Sequence, residues 1–212
     1  MPPVVDHDEW QRSLETQQAL ERDLVERTKA AAAARRKLPM TPVQGDYTFT
    51  GAEGEVSFAD LFAGKHQLVV YHFMFGPDWK AGCPSCTQYM KELGNDFAPY
   101  IEDRDTRFVL ISRADISKLQ AHAEANDIAT PWYSCSTEFS QEMELLADQP
   151  SDLPAFTTFF RDENNVIYRT YRPEMDAEPR VAGDLILHLT PFGLQLKGDD
   201  SPEGWPQSFD EY

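Results

Sequence analysis

Cysteine, positive charge and long apolar runs are all scarce in this 212-residue chain. No stretch reaches about 18 consecutive apolar residues, the length needed to span a bilayer, and the opening MPPVVDHDEW has no basic segment followed by an apolar one. A soluble, cytoplasmic protein is expected. Lys and Arg number 19 against 36 Asp and Glu, a formal charge of −17. So acidic a surface repels phosphate backbones and anionic headgroups, which argues against nucleic-acid and membrane partners. In a reducing compartment, three cysteines are no structural disulfide framework, and a close pair of them points to redox or metal chemistry. No internal repeat occurs. What remains is 41% hydrophobic and 12% aromatic, an ordinary globular composition of a length that suits one domain plus an extension.

Residues 8–37 alternate charge with sparse apolar positions and lack interior Gly or Pro, which predicts a helix ending before Pro39. Its apolar face is thin, so a peripheral arm or a homodimer contact is expected. Two short strands follow around Gly51 and Gly54, with Ser57 placed to cap a brief helical turn. Gln67–Phe75 is apolar except for its histidine, as in a strand buried on both faces. Pro84 to about Asp103 then has helical spacing (Tyr89, Met90, Leu93, Phe97, Ile101). A strand over Arg107–Ser112 and a helix over Ile116–Asn126 complete a strand-helix alternation that predicts largely parallel pairing. A short strand at Trp132–Cys135, a helical stretch at Phe139–Ala147, two strands joined at Asp162–Asn165 and a last helix near Arg180–Leu189 finish the pattern. The implied organisation is an N-terminal arm (1–40), an α/β domain (41–197) and an acidic tail (198–212).

The segment FGPDWKAGCPSC carries the chemistry. Residues three apart on a helix have Cβ atoms roughly 5–6 Å apart, and a disulfide needs Cα atoms about 5.5 Å apart, so Cys83 and Cys86 can be bridged. Pro84 suits the first helical position, which puts Cys83 just before the helix, where orphan amides and the dipole stabilise an anion. Such placement lowers a thiol pKa from about 8.5 into the range of roughly 3.5–7.5. Cys86, one turn inside, would be shielded. Cys83 would attack a disulfide and Cys86 would resolve the mixed disulfide. A structural zinc site lacks a second ligand pair, a monovalent copper site needs only two thiolates, and buried cysteines can be plain core; all three stay open.

With these residues in place the chain resembles the thioredoxin-like superfamily and, more narrowly, the family called domain of unknown function 899. Tyr71–Trp79 (YHFMFGPDW) with Gly82–Cys86 (GCPSC), ISRA at 111–114, LTP at 189–191 and DEY at 210–212 are similar to that family. The resemblance implies a thioredoxin-like fold, a mixed and largely parallel sheet flanked by helices, with an N-terminal helical extension and a C-terminal tail. It implies a nucleophilic Cys83, a resolving Cys86 and, at Pro154, a cis-proline whose loop faces the pair. His72 would occupy the place of the buried acid that deprotonates the resolving thiol. Arg113, after the second central strand, could stabilise the Cys83 thiolate or an anionic substrate, or form a surface ion pair.

Thioredoxins put Trp directly before the first Cys, whereas Trp79 here precedes Cys83 by four residues, and the intervening dipeptide is Pro84-Ser85. The expected activity is thiol-disulfide oxidoreduction without a bound organic cofactor or metal, acting between a protein or small-molecule disulfide and a thiol reductant. Peroxiredoxin-like peroxidase activity and a non-catalytic binding module or soft-metal (copper) carrier are the alternatives. Against the peroxidase pattern, Pro77 lies six residues before Cys83 instead of seven, and Lys80 stands where Thr or Ser belongs. Cys135 is expected in the core.

Overall fold

The computed structural model describes residues 3–146 and 153–174. Two compact units are distinguished, the first represented by residues 3–38 and the second by the remainder of the described chain. The predicted helix near Arg180–Leu189 and the acidic tail lie outside the described residues.

The first unit contains α1 (His7–Arg35). Asp6 caps it, its carboxylate accepting from the Glu9 amide at 2.8 Å, with Asp8 and Glu9 at the positive end of the dipole and Arg35 at the negative end. None of its side chains is buried. The helix is held by capping and by pairs such as Arg27–Asp23 at 2.7 Å and Lys29–Glu26 at 2.8 Å.

The second unit is built on one eight-stranded sheet. Its strands are β1 (Thr41–Pro42), β2 (Thr48–Gly51), β3 (Gly54–Ser57), β4 (Gln67–His72), β5 (Thr106–Ser112), β6 (Trp132–Ser134), β7 (Ala155–Arg161) and β8 (Ile167–Tyr171), in the spatial order β1-β8-β7-β4-β5-β6-β2-β3. The helices are α2 (Pro84–Leu93), α3 (Phe97–Glu102), α4 (Ile116–Ala125) and α5 (Thr137–Glu142). β4 pairs parallel with β5, and β7 and β8 run antiparallel on its other side, so a β-α-β unit is joined to a β-hairpin. This is the thioredoxin-like arrangement.

Two expectations need correction. The sheet is mostly antiparallel: among the described strands only β4–β5 and β5–β6 pair in parallel, while the other five pairings are antiparallel. Strand-helix alternation holds only in the middle of the chain, and the β2–β3 and β7–β8 hairpins need no crossover. The helix expected over 84–103 is also two helices. Gly94, at φ 73°, ends α2 with its amide on the Met90 carbonyl at 3.1 Å, because glycine enters the left-handed region without a Cβ clash.

β4 is buried on both faces, and its period of two sorts its side chains into two cores. Leu68 and Val70 join Phe49, Phe62, Phe139 and Phe159 on one face. Tyr71 and then Phe73 join Leu110, Trp132, Phe156 and both cysteines of the CPSC segment on the other. β5 divides the same way, with Val109 and Ile111 in the first core and Phe108 and Leu110 in the second.

Candidate active site

Between β4 and α2 runs an eleven-residue loop, 73–83, whose backbone is tied to the neighbouring elements. The Phe73 amide donates to Ile111 O at 2.9 Å, and Ser112 Oγ donates to Phe75 O at 2.9 Å. The Lys118 ammonium, on α4, donates to the carbonyls of Pro77 and of Trp79, the latter at 3.3 Å. Cys83 closes the loop by donating its amide to Met74 O at 2.9 Å. Gly82 has no room for a side chain, since a Cβ there would stand 2.6 Å from the Phe73 ring and 3.0 Å from His122 Nε2.

Cys83 is the N-cap of α2 and Pro84 its first residue, with the Thr87 amide on Cys83 O at 3.0 Å starting the helical ladder. The cap is a sulfur, so no ordinary oxygen cap forms. The groups that favour the Cys83 thiolate are first the Cys86 thiol and then the Cys86 amide, the Ser85 amide and the Ser85 hydroxyl. These donors outweigh the cost of burial and lower the Cys83 thiol to about 5. Cys86 moves the opposite way: donating to the Cys83 sulfur, and then burial, push its thiol well above the ordinary range. Both sulfurs are reduced, with Cys83 8% and Cys86 3% exposed.

The Tyr71 hydroxyl and the Met74 amide offset part of the rise at Cys86. Behind the cysteine pair, Thr87 Oγ1 donates to Cys83 O at 2.8 Å and lies 2.9 Å from His122 Nε2. A threonine hydroxyl has one proton, so Nε2 is the donor in that second contact. His122 is packed between Phe73 and Phe75, each at 5.6 Å, and burial lowers its pKa.

The other residues singled out from the sequence stand apart from this pair to different degrees. Trp79 is half-buried and packs against the core that holds the cysteines. His72 is not brought to Cys86. As the next residue along β4 it lies on the opposite face, its Nε2 2.9 Å from Thr157 Oγ1 and its ring 6.0 Å from that of Phe139. Burial, and then the charge of Arg172, lower it to about 3. Pro154 immediately precedes Ala155, the cross-strand partner of His72, and its peptide bond is trans, since no cis bond occurs among the described residues. That differs from the cis geometry implied by resemblance. Arg113 is half-buried after β5 and is not among the groups that lower Cys83. Asp115, beside it, caps α4 by accepting from the Ser117 amide at 2.8 Å. Cys135 is half-buried, its sulfur 3.6 Å from Ser140 Oγ. Among the described residues no group of three or more His, Cys, Asp or Glu could hold a metal ion.

Sequence reasoning passed over Tyr71, Met74, Thr87 and His122. Only the first had a signal in the chain: Tyr71 and Phe73 share one parity of the strand that leads into the cysteine loop, and His72 has the other.

The model of the family described as "Bacterial protein of unknown function (DUF899)" matches residues 1–212. The chain belongs to this family. No curated protein matches it. Among solved structures it is similar to Plasmodium yoelii thioredoxin peroxidase I, at 17% identity and TM-score 0.48 over 81% of this chain and 99% of that one. It is similar to Enterococcus faecalis AhpC, at 14% identity and TM-score 0.48 over 70% and 88%. Peroxidoxin BcpB of Mycobacterium tuberculosis matches at 16% identity and TM-score 0.44 over 60% and 82%. Among the described residues no helix is long and apolar enough to cross a membrane.

Proposed function

We propose that this protein is a thiol-disulfide oxidoreductase of thioredoxin-like type, with Cys83 as the attacking thiolate and Cys86 as the resolving thiol. The observation that carries the reading is the asymmetry of the pair: Cys83 stands at the N-cap position of α2 with its thiol lowered to about 5, and Cys86 lies one turn inside, more buried and with its thiol raised. A pair of merely structural cysteines needs no such division.

The chemistry follows. At neutral pH a thiol held near 5 is about 99% thiolate, so Cys83 needs no separate base to attack a substrate disulfide. The attack forms a Cys83 mixed disulfide and expels one substrate thiolate. Cys86 then attacks the Cys83 sulfur, releasing the second thiolate and leaving a Cys83–Cys86 disulfide that an external thiol reductant restores. The two electrons come from the cysteines themselves, so the reaction requires no bound organic cofactor or metal.

Equilibrating the protein with glutathione buffers and titrating free thiols tests this. Reversible loss of two thiols per chain, abolished in Cys83→Ser and converted to a trapped mixed disulfide in Cys86→Ser, is the expected result. Equal residual activity in both variants would remove the mechanism, and peroxide consumption surviving in Cys86→Ser would favour a peroxidase.

A further inference from the structure

Cys83 hangs from a backbone that is fixed on both sides. Its amide donates to Met74 O at 2.9 Å, and its carbonyl accepts from the Thr87 amide at 3.0 Å and from Thr87 Oγ1 at 2.8 Å. With both peptide groups tied, the main freedom left to the sulfur is rotation about χ1. This matters for the chemistry, because Pro84 has no N–H and the first amides open to an anion at this helix start are those of Ser85 and Cys86. A tilt of the Cys83 carbonyl would swing the sulfur away from them. The Thr87 hydroxyl is the side-chain part of this tie, and a hydroxyl turns about its own C–O bond. Its single proton is kept on the Cys83 carbonyl when a second donor occupies one of its lone pairs.

We infer that His122 is a positioning residue for the reaction, acting through Thr87 to hold the Cys83 backbone at the start of α2. Its Nε2 lies 2.9 Å from Thr87 Oγ1, and as the donor in that contact it directs the hydroxyl proton to Cys83 O. His122 is itself held in place. Its ring lies 5.6 Å from those of Phe73 and Phe75 and 6.1 Å from that of Trp132, and its carbonyl accepts from Asn126 Nδ2 at 2.9 Å. The same Nε2 stands 3.0 Å from where a Cβ of residue 82 would be, so the imidazole comes close only because a glycine precedes Cys83. One turn earlier on the same face of α4, Lys118 donates to the carbonyls of Pro77 and Trp79. α4 thus supports the loop through Lys118 and the helix start through His122. The histidine exchanges no proton in this role and touches no reacting atom.

This inference rests on the dithiol reading, and one titration separates the two. Alkylation of Cys83 by iodoacetamide in the full-length protein, read by mass spectrometry of its peptide across a pH series, should have its midpoint near 5. His122→Phe keeps a ring against Phe73, Phe75 and Gly82 but donates nothing, and should raise that midpoint by roughly 0.5–1 pH unit, the equivalent of one hydrogen bond. His122→Gln puts an amide nitrogen where Nε2 stood and should return the midpoint to the parent value. Thr87→Val breaks the same chain nearer to Cys83 and should raise the midpoint by at least as much. The double variant His122→Phe/Thr87→Val should titrate with Thr87→Val alone, since the histidine acts through the threonine. A histidine that only stabilises the fold would lower the urea midpoint in His122→Phe and leave the Cys83 titration where it was. That result, an unchanged midpoint in Thr87→Val whether or not His122→Phe folds, or a double variant titrating above Thr87→Val would overturn the inference and leave the dithiol reading intact. A parent midpoint near 8.5, the value of an ordinary thiol, would overturn the reading of Cys83 as the attacking thiolate, and the role of His122 with it.

Discussion

Tyr71 and His72 are adjacent in β4 and serve different faces of the sheet, the tyrosine in the core that holds Cys83 and Cys86 and the histidine with Nε2 2.9 Å from Thr157 Oγ1. The histidine is thus an element of the opposite core, held neutral because burial lowers it to about 3. Its unfolded pKa is about 6.5. Between those values the unfolded chain binds a proton that the folded chain refuses, so stability contributed by neutral His72 is complete above about pH 6.5 and drains away as pH falls toward 3. Urea unfolding of His72→Gln should depend less steeply on pH in that window, by up to about 1.4 kcal/mol per pH unit. The pH profile of disulfide exchange should be unaltered. An exchange rate that loses a titration near neutral pH in this variant would return the histidine to the chemistry.

The acidity of Cys83 has named donors and so can be dissected. Its alkylation by iodoacetamide, followed by mass spectrometry of the peptide that contains it, should titrate near pH 5. Cys86→Ala removes the largest stabilising group, the thiol donor, while keeping the Cys86 amide, and should move that midpoint upward. Ser85→Ala removes only a hydroxyl contact and should move it less. A midpoint near 8.5 in the unaltered protein, the value of an ordinary thiol, would mean that the helix start does not hold a thiolate.

Much of this site was readable from the chain, and the part that was not has a definite physical origin. Pro84 after Cys83 marks a helix start, and that fixes the cap position of the first cysteine and the inward turn of the second. Which residue of β4 meets the second cysteine is a matter of strand parity. In a strand with one wet face, alternating polar residues would reveal the parity, but YHFMF follows LVV without a polar register mark because both faces are buried. The choice between Tyr71 and His72 was therefore invisible until the strand had neighbours. The antiparallel edges were hidden for a similar reason: β1 and β2 are short, and their partners β8 and β6 are set by tertiary packing, not by local propensity. The break after α2 did leave a trace in Gly94, overridden in the reading by apolar spacing that continues through Phe97 and Ile101.

Thr87 connects the start of α2 to α4, donating to Cys83 O at 2.8 Å and accepting from His122 Nε2 at 2.9 Å. Thr87→Val keeps the shape but strands the His122 N–H in a half-buried aromatic setting, which should cost about 1–3 kcal/mol. A lower urea midpoint with an unchanged denaturant slope is the expected readout, and Thr87→Ser should recover most of the loss. Equal stability of the valine and serine variants would show that the contact with His122 contributes nothing.

Gly82 offers the sharpest steric test of how the reactive sulfur is held. A methyl group there would meet the Phe73 ring at 2.6 Å, closer than packed carbons approach, and Phe73 has little freedom to retreat because it is 1% exposed and its ring centroid is 4.8 Å from that of Trp132. Overpacking of this kind costs typically about 1–3 kcal/mol. The backbone can relieve it only by moving residue 82, which adjoins the Cys83 amide bonded to Met74 O at 2.9 Å. Gly82→Ala should therefore lower stability and at the same time raise the alkylation midpoint of Cys83, because a displaced cap loses its alignment with the amides of Ser85 and Cys86. Loss of stability with the midpoint still near 5 would mean that α2 carries its own anion site, independent of the loop that leads into it.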